Sequence, residues 1–219
     1  MTLQVMKRTT ILLADDHTMI SAALQKLLEP EYEVIGRVGD GRSLVKTALD
    51  LKPDLVLADV GMPLLNGLDA ARELKRLLPK VKIIFLTMNP DPFVANEAVR
   101  LGASGYLLKS SESEELLMAV HKALLGRTYV TPPIRRAMEE VFIRDPISLN
   151  KPAKELTGRQ REVLQLLAEG RTMKEVSSVL DVSERTVRYH KYRIMDELGI
   201  RTTAELVQYA LKHAIISPR

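Results

Sequence analysis

The stretch L-V-L-A-D-V-G-M-P-L-L-N-G, Leu55 to Gly67, decides how the rest of the chain is read. Four apolar residues, Leu55 to Ala58, stand between Pro53-Asp54 and the turn-prone Gly61, Pro63, Asn66 and Gly67, the pattern of a strand buried on both faces. The run stops on the carboxylate of Asp59. Ligands of an open parallel α/β sheet bind outside the carboxyl ends of its strands. Asp59 is therefore a candidate nucleophile or metal ligand, with a plain turn-starting aspartate as the alternative.

The segments around this stretch repeat its pattern. Apolar runs at Thr9–Ala14, Tyr32–Arg37, Val81–Leu86 and Gly105–Leu108 alternate with amphipathic segments at His17–Leu28, Arg42–Leu51, Leu68–Leu78, Phe93–Leu101 and Glu112–Leu125. With the Leu55 run this is β-α five times over. Right-handed crossovers then imply a doubly wound α/β fold with a five-stranded parallel sheet covered on both faces. The strand ends share a chemical character. The first strand ends in Asp15-Asp16, the third in Asp59, the fourth in Thr87 and the fifth in Lys109, which puts five polar groups on one rim.

Those groups form a coherent chemical set. A carboxylate that attacks a phosphoryl group meets anion–anion repulsion, so the site needs a divalent cation and fixed positive charge. Asp15, Asp16 and Asp59 suit Mg2+, a hard ion that takes a few carboxylates and keeps some waters. Lys109 is a point charge for phosphoryl oxygens, the Thr87 hydroxyl is a donor, and Asp59 is the nucleophile.

The motifs L-L-A-D-D-H (12–17), L-V-L-A-D-V-G-M-P (55–63) with N-G (66–67), F-L-T (85–87) and G-A-S-G-Y-L-L-K (102–109) resemble the receiver domain of two-component response regulators, a flavodoxin-like fold. The resemblance implies Asp59 as phosphoacceptor and Asp15, Asp16, Asp59 and the Gly61 carbonyl as Mg2+ ligands. It also implies Thr87, Tyr106 and Lys109 as switch and phosphoryl-contacting residues. Three positions depart from the pattern: Leu64 and Leu65, where relatives often have small or flexible residues, and Met88, bulky beside the expected phosphoryl pocket. They bear on the rates of phosphorylation and hydrolysis more than on the site.

Charge separates the two halves of the chain. Residues 1–126 carry 15 Lys+Arg against 16 Asp+Glu, and residues 127–219 carry 17 against 12, so a polyanion would be met by the second half. A proline-bearing linker connects the two parts, with Ile134–Ile143 expected as a short helix. From Leu156 the chain reads as all helix: Arg159–Ala168 capped by Thr157, Met173–Leu180 capped by Thr172, Glu184–Leu198 capped by Ser183, and Thr203–Ala214. A short helix, a three-residue turn and a second helix are the layout of a helix-turn-helix. Ser183 to Arg193 holds four basic residues and one acidic, which suits duplex phosphates.

L-T-G-R-Q-R-E-V-L-Q-L-L-A-E-G (156–170), K-E-V (174–176), L-D-V-S-E-R-T-V-R-Y-H (180–190) and L-G-I (198–200) resemble the LuxR-type output domain of the NarL/FixJ subfamily. By position Arg188, Tyr189 and Tyr192 would face base edges, and Lys174, Arg185, Thr186, Lys191 and Arg193 would mainly hold phosphates. Met173 and Arg201-Thr202-Thr203 depart from the family pattern at two edges of this footprint.

The expected organisation is a receiver at 1–126, a linker with a short helix at 127–153 and a DNA-binding domain at 154–219. A sensor histidine kinase would phosphorylate Asp59 and thereby control DNA binding and transcription. The active form is expected to be a homodimer on a pseudo-palindromic operator, paired through the last helix around Val207, Ala210 and Leu211, with the receiver as a second source of contacts and RNA polymerase as a further partner. The chain is not read as an enzyme. Two alternatives are a phosphate-independent DNA-binding regulator with a degenerate receiver and an aspartyl-phosphate phosphatase. The phosphatase reading lacks its D-x-D-x-T motif and leaves the second half idle. The absence of cysteine excludes thiolate zinc sites and disulfides, and no apolar stretch is long enough for a membrane span, so a soluble cytoplasmic protein is expected.

Overall fold

The computed structural model describes residues 8–145 and 156–216. The first part alternates β1 (Thr10–Ala14), α1 (Thr18–Leu28), β2 (Glu33–Val38), α2 (Gly41–Leu51), β3 (Leu55–Asp59), α3 (Gly67–Leu77), β4 (Lys82–Thr87), α4 (Pro92–Arg100), β5 (Gly105–Leu108) and α5 (Ser113–Leu124). All strand pairs are parallel, in the order β2-β1-β3-β4-β5-β6. The sixth strand, β6 (Tyr129–Val130), corrects the five expected. Two residues are too few to display an alternating pattern, and β6 is held at the edge by pairing with Gly105 and Tyr106 of β5.

Alternation along each central strand divides the core into two layers. Leu12, Ala14, Val56, Ala58, Ile83 and Phe85 face α2, α3 and α4, whereas Ile11, Leu13, Leu55, Leu57, Ile84 and Leu86 face α1 and α5. Every residue of β3 is buried, as its continuous apolar run requires for a strand covered on both sides. The chain proceeds outward from β1 to β2 and then returns to the other side of β1 for β3. This reversal opens a crevice beyond the carboxyl ends of β1 and β3. Asp15 and Asp59 stand at that point.

α6 (Pro132–Arg144) begins with two prolines, whose fixed φ and missing N–H suit a first turn. Its Ile134 and Met138 pack on the layer that includes α4. Pro146 and Pro152 of the expected linker lie outside the described residues.

The second part holds α7 (Gly158–Ala168), α8 (Met173–Leu180), α9 (Glu184–Leu198) and α10 (Thr203–Lys212) around one core that includes Val163, Leu166, Val176, Val187, Ile194 and Leu206. Capping boxes start α7, α8 and α10 (Thr157/Gln160, Thr172/Glu175, Thr202/Glu205), and the Ser183 side chain accepts from Thr186 N to start α9. Met173 packs on this core, and Thr202 caps α10. Both departures from the family pattern thus have local structural work. Ala210 lies fully inside the same core, which removes it from the expected pairing face; Leu211 remains exposed and Val207 half-buried.

Gly67 brings α3 against the end of β3. A β-carbon there would stand 2.1 Å from the Asp59 carbonyl oxygen, a main-chain atom that cannot swing aside. Gly67→Ala is expected to lower the free energy of unfolding by about 1–3 kcal/mol in urea titrations. An unchanged midpoint would show that the loop before α3 yields freely.

Candidate functional site

The crevice collects side chains from three strands. Lys109, one residue beyond β5, places Nζ 2.8 Å from Oδ2 of Asp59 and 2.8 Å from Oδ2 of Asp15. Its side chain is only 2% exposed, so this ammonium is compensated by two carboxylates out of bulk water. Asp59 Oδ1 accepts from the Gly61 amide at 3.2 Å. Asp15 Oδ1 accepts from the His17 amide at 2.8 Å, while Asp15 Oδ2 has Lys109 as its charge partner but no well-directed hydrogen bond.

Burial pushes the Asp59 carboxyl above the usual range, and the charge of Asp15 adds to this. Lys109 and the Gly61 amide pull it down without prevailing. For Lys109 the balance is reversed: burial opposes the ammonium, but pairing with Asp15 and Asp59 holds its pKa above the ordinary lysine value. The pocket therefore retains one cation between two carboxylates.

Asp15, Asp16, His17 and Asp59 offer ligand atoms that all lie within 4.8 Å of one another. Three carboxylates, one carrying a buried and incompletely satisfied oxygen, form an acidic pocket of the kind that binds Mg2+. His17 is the member that sequence reasoning did not assign. Its Nδ1 lies 2.9 Å from Asp16 Oδ1 and 3.1 Å from Asp15 Oδ1. Only its position directly after the aspartate pair could have marked it.

Thr87 ends β4, and Tyr106 lies on the adjacent β5 opposite Phe85, two residues back from that end. Thr87 is buried, and its Oγ1 accepts from the Asn89 amide at 3.0 Å. Tyr106 is wholly buried, with its ring tilted against Phe85. Its hydroxyl has no well-formed hydrogen bond, and burial raises its pKa strongly. Met88 does not fill the pocket; it is 72% exposed. Leu64 and Leu65 are packing residues: Leu65 belongs to the core of the first part, and Leu64 packs on the core of the second.

The basic face lies on α9. Arg185, Arg188, Tyr189, Tyr192 and Arg193 line one open surface, with Tyr189 60% and Tyr192 61% exposed. Arg193 also pairs with Glu197 at 3.0 Å. Lys174 projects from α8 and is exposed. The other two expected contacts stand apart from this surface. Thr186 Oγ1 is 2.9 Å from Ser183 Oγ at the cap, and Lys191 reaches toward Thr203 of α10 at 3.5 Å.

Residues 11–121 match the family described as "Response regulator receiver domain". The chain belongs to the response regulators. Residues 154–210 of this regulator match "Bacterial regulatory proteins, luxR family". It is similar to the oxygen regulatory protein NreC of Staphylococcus haemolyticus, with 34% identity over 94% of this chain and 98% of that protein. Among solved structures it resembles the response regulator RcsB of Salmonella typhimurium, with a TM-score of 0.64, 26% identity, and coverage of 95% and 99% of the two chains. A complex of RcsB with DNA gives a TM-score of 0.59 at 26% identity, with coverage of 94% and 99%. The protein is thus a transcriptional response regulator with a receiver and a LuxR-type DNA-binding domain. No helix among the described residues is long and apolar enough to cross a membrane.

A carboxyl whose folded-state pKa lies above its unfolded value favours the fold below the unfolded value and opposes it as pH rises through the folded one. Asp59 is of this kind. In metal-free buffer Asp59→Asn is expected to be more stable than the parent at pH 7, and the advantage should vanish below 3.8, the ordinary value for the group. Denaturant titrations across this range check the sign, and a variant less stable at pH 7 would contradict it.

Proposed function

We propose that this regulator is switched by transfer of a phosphoryl group from a sensor histidine kinase to Asp59. The observation that carries the reading is the position of Lys109, whose ammonium lies 2.8 Å from both Asp59 and Asp15. A fixed cation beside a nucleophilic carboxylate offsets the repulsion between that carboxylate and an incoming phosphoryl group.

Asp15, Asp16, Asp59 and the Gly61 carbonyl would hold Mg2+. The ion would supply charge neutralisation to the phosphoryl oxygens. One oxygen of Asp59 attacks phosphorus, the donor's bond to phosphorus breaks, and the product is an acyl phosphate. Lys109 stays with the transferred group. The Thr87 hydroxyl, now close to the Asn89 amide, is the nearby donor for a phosphoryl oxygen, and the space Thr87 vacates admits the unsatisfied hydroxyl of Tyr106. Asp59 is consumed and restored in signalling, so the regulator is a phosphoryl acceptor and not an enzyme acting on a separate substrate.

We divide the chain into a receiver at 1–126, a linker at 127–153 and a DNA-binding domain at 154–219. Arg188, Tyr189 and Tyr192 face base edges, while Lys174, Arg185 and Arg193 hold phosphates, with Thr186 and Lys191 at the margin. Two copies act together on a pseudo-palindromic operator in the cytoplasm, where the DNA is. RcsB dimers bound to DNA support this reading.

Incubation with Mg2+ and acetyl phosphate is expected to add one phosphoryl group to the parent and none to Asp59→Asn, as read by intact mass. Equal masses would favour the degenerate receiver. On the operator, Arg188→Ala is expected to cost about 1–3 kcal/mol and to relax preference at one base pair. Lys174→Ala should weaken all sequences alike and reduce the salt dependence. Quantitative footprinting against salt concentration separates the two; a uniform loss from Arg188→Ala would reassign it to the phosphate backbone.

A further inference from the structure

The loop from Val60 to Asn66, which leaves the acidic pocket, is held from outside its own domain. Its main chain meets α7 and the residue that caps it, Glu169, at three points. The Met62 carbonyl accepts from Gln165 Nε2 at 2.9 Å, the Asn66 amide donates to Gln165 Oε1 at 2.8 Å, and the Leu64 amide donates to Glu169 Oε1 at 3.0 Å. Gln165 is 1% exposed, and its Nε2 also donates to Glu169 Oε1 at 2.8 Å. Both ends of one buried side-chain amide are thus committed to a loop of the other domain.

Leu64 explains why the loop needs holding. Its φ of +65° lies in the left-handed region, which leucine avoids because its β-carbon crowds the following carbonyl. Such a conformation persists where the surroundings enforce it, and here the Leu64 side chain packs on the DNA-binding core. Ion pairs flank the contact: Arg161 to Asp69 at 2.6 Å and Arg42 to Glu162 at 2.6 Å. Asp69 also pairs with Arg72, which joins Glu97 of α4.

The same loop carries the Gly61 amide that donates to Asp59. When Asp59 becomes an acyl phosphate its negative charge moves to the phosphoryl oxygens, and the oxygen left as a neutral carbonyl is a weaker acceptor for this N–H, which loosens the hold of the pocket on the loop.

We propose that Gln165, Glu169 and Leu64 form a clamp through which the DNA-binding domain restrains phosphoryl uptake at Asp59. The proposal deepens the preceding reading and rests on Asp59 as the acceptor. The clamp is not a shield over the DNA-reading helix, because Arg188, Tyr189 and Tyr192 stand open while α7 is docked. At equilibrium the coupling is reciprocal: by as much as docking disfavours the modified Asp59, the modified Asp59 disfavours docking.

The test uses the full chain, with Gln165→Leu removing three hydrogen bonds to the loop and Leu64→Gly removing the packed side chain while tolerating the positive φ. Far-UV circular dichroism confirms folding of each. Initial uptake from acetyl phosphate with Mg2+, followed by intact mass, is expected to be about fivefold or more faster in both variants. Amide-hydrogen exchange of residues 60–66, without Mg2+ or acetyl phosphate, should also rise, with β1 and β4 unchanged. Uptake at the parent rate in both variants, lost in each when Asp59→Asn is added, would leave the acceptor in place and overturn the clamp. Uptake by the variants alone would support it in its strictest form. Uptake by none of the three proteins would overturn the acceptor reading and the clamp together.

Discussion

One ammonium between two buried carboxylates is the constraint on which the receiver depends. Lys109 and Asp15 sit on strands separated by two others, so their meeting requires the full parallel sheet with its reversal beside β1. Removing Lys109 would leave Asp15 and Asp59 facing each other at low exposure, a costly arrangement. The charges are therefore a readout of correct strand order as well as the chemical equipment of the pocket. The sheet lines up three backbones, and Lys109 then joins the two acidic side chains at 2.8 Å each.

The pocket is also mechanically asymmetric. On the β4 and β5 side, Thr87 and Tyr106 stand on rigid strands, with a buried hydroxyl of Tyr106 left incompletely satisfied. On the β3 side, the exit loop is shaped partly by α7. An event at Asp59 therefore meets a rigid wall on one side and an inter-domain joint on the other. Rigid elements position groups, while joints with two arrangements transmit their displacement.

Much of this was legible in the residues. The β3 run, its abrupt polar end and the matching ends of β1, β4 and β5 emerge from local pattern, because period-2 and period-3.6 spacing are properties of short segments. The start of α9 at Ser183 and its end at Leu198 were equally plain, set by a serine cap and by Gly199, whose positive φ stops the helix. β6 escaped because two residues carry no periodicity. Ala210 was misplaced because an apolar residue on an amphipathic helix looks the same whether it meets its own core or a second copy. The roles of Gln165 and Glu169 were invisible. Both read as ordinary polar residues of a helix, and only the packing of two domains separated by a linker gives them partners.

Leu64 carries a lesson about modularity. Receivers and output domains are commonly pictured as interchangeable cassettes joined by string. Here a half-buried leucine of one cassette packs against the hydrophobic core of the other, in a backbone conformation it would not choose alone. Grafting a foreign output module onto this receiver would strand that side chain in water and orphan the loop amides beside it. The two halves of this protein have become a matched pair, and exchange between relatives would have to carry both sides of the joint.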